Sequence, residues 1–154
     1  MIISTSNLNS KQQEEFLKCW NEVYPLNLKF DDSGKMQSYF DGLQQLQFFL
    51  LVDGSIPATA FSFRFMRDGE LWLAMLMPLS MQGKGYGSIL LEELTENVDT
   101  ISAWVVDHDL DVKSDGTPYR SPLQFYLKNG FAVQDGMRLE LDTISAAKLV
   151  WKRS

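Results

Sequence analysis

The chain has 154 residues, 45% of them hydrophobic and 22% charged, which suits one compact domain spanning 1–154. A net charge of −6 argues against binding to nucleic acid phosphates, and the single cysteine excludes an internal disulfide framework and fits a reducing, cytoplasmic setting. No apolar run approaches the ~20 residues of a membrane-spanning helix, the first residues lack the pattern of a secretory signal, and one histidine with one cysteine supplies no zinc constellation.

In chain order, "MIIST" predicts a short first strand. Ser10 and Gln13 predict a capping box, after which Phe16, Leu17, Trp20, Val23 and Tyr24 recur at helical spacing until Pro25 ends the run. A second helix is predicted from Asp32 or Ser33, with Met36, Tyr39, Phe40 and Leu43 on one face. The period then changes from helical to alternating. Leu46–Val52, Ile56–Met66 and Glu70–Met77 predict three strands, joined by tight turns at Asp53-Gly54 and Asp68-Gly69. The third strand is apolar on both faces, so it is expected at the centre of a sheet, covered on both sides.

That strand runs into "MPLSMQGKGYGSILLEEL", where Gly83, Gly85 and Gly87 alternate ahead of a helix predicted over Lys84–Asn97. Tyr86, Ile89, Leu90, Leu94 and Val98 are expected to face inward, and Glu92, Glu93 and Glu96 outward. Glycine costs roughly 0.8–1 kcal/mol relative to alanine inside a helix, so the alternation needs a reason beyond helix stability. A glycine turn opening a helix presents free N–H groups and the positive end of the helix dipole, a site for a phosphate or pyrophosphate. Ile101–Val106 completes a strand–turn–helix–strand unit over 70–106, whose strands are expected to lie parallel. A polar loop, Asp107 to Arg120, leads to a helix opening at Ser121-Pro122 and ending at Asn129-Gly130, followed by strands at Phe131–Leu141 and Ala147–Lys152. The expected class is mixed α/β, a mostly antiparallel sheet of about six or seven strands with about four helices and one parallel crossover.

The glycine spacing does not fit a Walker A loop, because Lys84 precedes Gly85, and it misses the dinucleotide pattern by one place. A glycine turn with Asp107 after the next strand also suits an S-adenosylmethionine or nicotinamide enzyme, but the 48 residues left after Val106 are too few for those folds.

Gln82-Gly83-Lys84-Gly85-Tyr86-Gly87 resembles the Q-x-x-G-x-G pyrophosphate loop of the GNAT superfamily of acyl-CoA N-acyltransferases. The segment Phe125–Phe131, "FYLKNGF", is similar to that family's later motif, and the order of elements is similar across nearly the whole chain. The resemblance implies transfer of an acetyl group from acetyl-CoA, with no metal, to a primary amine of a small molecule or peptide by direct attack in a ternary complex. It implies that the backbone at Met75, Leu76 and Met77 holds the pantetheine arm and that amides from Gln82, Gly83, Lys84, Gly85, Tyr86, Gly87 and Ser88 hold the pyrophosphate. It implies that Tyr126 is the general acid protonating the departing thiolate. Glu70 and His108, with Asp107 beside it, stand as candidates for the base, and the choice stays open. Trp20, Tyr24, Tyr39 and Phe40 lie on the helices that help wall the acceptor site in this family. The later motif commonly carries asparagine and alanine where this chain has Tyr119 and Pro122, and its preceding loop is longer than usual. A non-catalytic acyl-CoA sensor of the same fold is the alternative. The acidic charge is compatible with a cationic acceptor, and an edge strand near the C-terminus is available to pair a homodimer.

Overall fold

The computed structural model describes residues 1–154 and contains seven strands and four α-helices. The strands are β1 (Ile2–Thr5), β2 (Gln44–Val52), β3 (Thr59–Arg67), β4 (Glu70–Leu76), β5 (Thr100–Val105), β6 (Ala132–Leu141) and β7 (Ile144–Lys152). The helices are α1 (Ser10–Val23), α2 (Ser33–Asp41), α3 (Tyr86–Thr95) and α4 (Leu123–Lys128). One sheet runs β1-β2-β3-β4-β5-β7-β6, antiparallel throughout except at β4–β5. The apolar strand β4 is therefore central, as its two-faced hydrophobicity requires. No helix is long and apolar enough to cross a membrane.

The sheet separates two cores. On one face α1 and α2 bury Phe16, Trp20, Met36 and Phe40 against Phe48 and Phe63. Phe16 sits within 5.0–6.3 Å, ring to ring, of Trp20, Phe40, Phe48, Phe61 and Phe63. On the other face α3 and α4 bury Leu90, Leu94 and Tyr126 against Leu73, Ile101 and Leu149.

Several boundaries differ from expectation for local chemical reasons. The capping box is formed one residue earlier: Asn9 Oδ1 accepts from the Gln12 N–H at 2.8 Å while Gln12 Oε1 accepts from the Asn9 N–H at 2.9 Å. Leu43 lies just past α2 but still packs on its core. Asp68-Gly69 is the expected tight turn, with φ of +53° and +76°. Asp53-Gly54 is not: the connection runs to Ala58, because Pro57 cannot donate to a ladder and Asp53 Oδ1 accepts from the Ser55 N–H at 2.9 Å. In α3, which begins at Tyr86 rather than Lys84, Ile89 is exposed and Leu91 takes the inward position.

Residues 107–120, expected as a polar connection, contain a small hairpin. Tyr119 N–H donates to the Asp111 carbonyl at 2.9 Å, and Lys113 N–H donates to the Thr117 carbonyl at 2.8 Å. Leu26 N–H donates to the Val112 carbonyl at 2.8 Å and Ser114 Oγ to the Asn21 carbonyl at 2.8 Å, docking the hairpin on the end of α1. Strand β6 is the outer strand, paired only with β7.

Candidate active site

The parallel contact between β4 and β5 is short. Trp72 pairs with Ser102, and beyond that point the strands separate. Residues Leu73–Met77 on one side and Trp104–Val106 on the other then line a cavity of about 930 Å³, large enough for a cofactor-sized ligand. Its walls come from both cores. Trp20, Phe65 and Trp72 belong to the α1–α2 face, and Leu73, Phe125 and Tyr126 to the α3–α4 face. The cavity thus passes through the sheet, giving two ligands access from opposite faces to one point between β4 and β5.

At that point Tyr24 Oη donates to the Met75 carbonyl at 2.6 Å. A residue in an extended strand directs its N–H and C=O to the same edge, so the Met75 backbone faces the gap and the Leu76 backbone turns to β3. Of the strand residues expected to hold a pantetheine arm, Met75 has the backbone edge open to the cavity, but its carbonyl is already engaged by Tyr24. Leu76 and Met77 contribute to the walls.

The glycine turn lies at the α3–α4 mouth. Gly83 and Gly85 have φ of +75° and +84°, a conformation other residues adopt only with strain, and open space surrounds both. Gly87 has a different reason. A Cβ there would meet the Phe125 ring at 2.8 Å, so the bare backbone lets α4 pack on α3. Accordingly, Gly87→Ala is expected to lower stability by about 1–3 kcal/mol through overpacking. At this chain length each kcal/mol lowers Tm by roughly 2–4 °C, measurable by thermal unfolding.

The backbone N–H groups from Gly83 to Ser88 donate to no other group of the chain, and no side chain caps the start of α3. The other end of α3 is neutralised: Arg64 Nη1 donates to the Leu94 carbonyl at 2.9 Å, and Arg153 Nη2 to the Thr95 carbonyl at 2.8 Å. The free positive end of the helix dipole is therefore at the glycines. Gln82 differs from the residues after it. Its own N–H donates to the Leu79 carbonyl, and its side-chain amide closes the turn onto the Met77 carbonyl at 2.9 Å. Tyr86 Oη donates to the Asp53 carboxylate and ties the turn to the β2–β3 connection, holding the Asp53 carboxyl down to about 2. Lys84 is exposed and outside the lining, whereas Ser88 is in it.

Tyr126 reaches the cavity from α4, which opens where Ser121 Oγ accepts from the Leu123 N–H at 3.1 Å. The ring is wedged between Phe125 and Phe131, each 5.2 Å away, and its hydroxyl is bonded to no other group of the chain. Burial, reinforced by Tyr119, pushes the Tyr126 phenol well above its ordinary value, and burial pushes Tyr119 up to about 12. Both hydroxyls therefore keep their protons throughout the neutral range. The sequence placed Tyr24 on a helix that walls the acceptor site but gave no sign of its bond to the Met75 carbonyl, and it marked Tyr119 only as a departure from the later motif, within a long loop.

The two expected bases lie elsewhere. Glu70 is at the far end of β4, held by Lys148 Nζ at 2.8 and 3.0 Å. His108 accepts from the Leu110 N–H through Nδ1 at 3.1 Å and does not line the cavity. Asp107 is bound by both terminal nitrogens of Arg138, at 2.8 and 3.1 Å, which lowers its carboxyl pKa. The residues lining the cavity include no aspartate, glutamate or histidine.

No protein-family model matches the sequence, and no curated protein matches it significantly. Solved structures do match. The aminoglycoside 6'-acetyltransferase type Ii superposes with a TM-score of 0.71 at 14% identity, covering 99% of this chain and 96% of that one. The aminoglycoside 6'-N-acetyltransferase from Enterococcus faecium gives 0.68 at 13% identity, over 99% and 96% of the two chains. The ribosomal-protein-S18-alanine N-acetyltransferase from Escherichia coli gives 0.63 at 16% identity, over 99% and 94%.

Proposed function

Starting from the GNAT acyltransferase fold, which this chain has, we propose that residues 1–154 form a single N-acetyltransferase domain moving an acetyl group from acetyl-CoA to a primary amine. One observation carries the reading: a cavity passes through the sheet at the β4–β5 gap, with unbonded N–H groups at one mouth and an unbonded tyrosine hydroxyl inside. The turn from Gly83 to Ser88 holds the CoA pyrophosphate on its backbone donors, assisted by the α3 dipole. The Met75 N–H lies where it can donate to the thioester carbonyl as negative charge builds on that oxygen. Tyr24, by fixing the Met75 carbonyl, sets the position of that donor.

The acceptor nitrogen attacks the carbonyl carbon, and the carbon–sulfur bond breaks as Tyr126 Oη gives its proton to sulfur. The nitrogen loses its extra proton to water in the cavity, and Tyr126 recovers one from the same source. With no carboxylate or imidazole lining the cavity, the amine reacts in its neutral form. Thiol release from acetyl-CoA with an amine panel tests the activity. CoA binding without transfer to any amine would instead support the sensor alternative.

The pH dependence follows from the same lining. Below the acceptor amine's own pKa, kcat/KM is expected to rise about tenfold per pH unit and then level, reporting only the neutral amine. The raised phenol pKa keeps Tyr126 protonated up to its folded value, so no alkaline loss from it is expected before about pH 10. A large loss of kcat in His108→Gln would assign the base to His108 instead.

A further inference from the structure

The α1–α2 half of the cavity is a box of rings. Trp20 stacks on Phe30 at 4.7 Å and meets Tyr24 edge-on at 4.4 Å, and Trp72 stacks on Trp104 at 5.0 Å. Phe65 and Tyr39 complete the lining toward Arg67. The Trp72 Nε1–H is buried without an acceptor. The charges in this lining are all positive although the chain carries −6. Arg67 lies over the Phe65 ring at 5.0 Å and beside Tyr39, and forms no ion pair. Arg120, delivered by the 107–120 segment, is also unpaired. Glu70, the cross-strand partner of Arg67, is engaged by Lys148, and Asp107 by Arg138.

A polycationic acceptor finds no carboxylate in the lining and meets two guanidinium groups and Lys128. An acceptor with an apolar ring fills the box, and an anionic group on it meets a guanidinium already stacked and oriented. We propose that the acceptor is a primary amine with an aromatic or large apolar body and a carboxylate, and that Arg67 binds the carboxylate. This rests on the acetyltransferase reading above, and it sets aside the cationic acceptor with which the acidic net charge is compatible.

The test compares L-phenylalanine, 2-phenylethylamine and spermidine as acceptors for the full chain with acetyl-CoA, and separately measures Tm with CoA before and after each amine. Phenylalanine is expected to exceed 2-phenylethylamine in kcat/KM by about 10–100-fold, the worth of a hydrogen bond to a charged group. Spermidine is expected to be the poorest. Phenylalanine, but not spermidine, should raise Tm further once CoA is bound. Arg67→Gln should erase most of the phenylalanine-to-phenylethylamine ratio through KM, and Arg67→Lys should restore part of it. Protection of each variant by CoA reports that it is folded. Preference for spermidine, or an unchanged ratio in Arg67→Gln, would overturn the inference while leaving the acetyltransferase reading intact. Failure of CoA itself to raise Tm would overturn that reading first.

Discussion

Replacing Tyr126 by phenylalanine is expected to lower kcat by about 10²–10³-fold while leaving CoA affinity nearly unchanged. The substitution removes one oxygen from a ring packed between Phe125 and Phe131, so the packing that positions α4 survives. The hydroxyl is bonded to no other group of the chain, so its loss strands no buried partner. What disappears is the proton donor to the departing sulfur, an interaction that matters as the carbon–sulfur bond breaks. A defect in kcat with unchanged CoA protection supports that role. Equal losses of CoA binding and turnover would make Tyr126 a packing residue. Tyr119 is near enough to raise the Tyr126 pKa, so the double replacement of both hydroxyls also shows whether Tyr119 supplies the residual activity.

The second large effect is expected at Gly85. Its φ of +84° and the open space around it make aspartate a tolerable replacement, since aspartate enters the left-handed region more readily than most residues. A carboxylate there faces the positive end of α3 and any phosphate brought to it. Gly85→Asp is expected to weaken CoA binding by about 100-fold, roughly 2.7 kcal/mol, with a native-like unfolding transition. Gly87→Ala acts by another route. It perturbs the Phe125 contact and so lowers the stability of the free protein. Neighbouring glycines in one motif thus separate into a pair in the left-handed region with open space around them and a packing position.

Much of the fold was legible because its signals are local. The alternation from Leu46 to Met77, the change to helical spacing at Tyr86 and the Asn129-Gly130 stop each place an element within a few residues of its observed limits. The two-faced hydrophobicity of Glu70–Met77 indicated a central strand. What stayed hidden depends on contacts distant in sequence. Ser10 and Asn9 are both good caps, and the reciprocal bonds form between Asn9 and Gln12. No periodicity marks Gly87 as the seat of the Phe125 ring. Glu70 looked suited to the base because it begins the central strand, but Lys148, 78 positions away, engages it. The Asp107–Arg120 segment looked like solvated loop by composition. Its hydrogen bonds to Asn21 and Leu26 make it a wall that carries Tyr119 and Arg120 into the cavity.

Whether the glycine turn and the β4–β5 gap hold an acyl-CoA is decided by thermal unfolding with CoA in excess. S-adenosylmethionine and NADH serve as competing cofactors, and Gly85→Asp as the paired variant. At about 100 times its dissociation constant a ligand adds about 2.7 kcal/mol, or roughly 5–10 °C at this chain length. That rise is expected for CoA and acetyl-CoA alone, and is expected to vanish in Gly85→Asp. No rise with CoA, or an equal rise in the variant, would contradict binding of an acyl-CoA at that site.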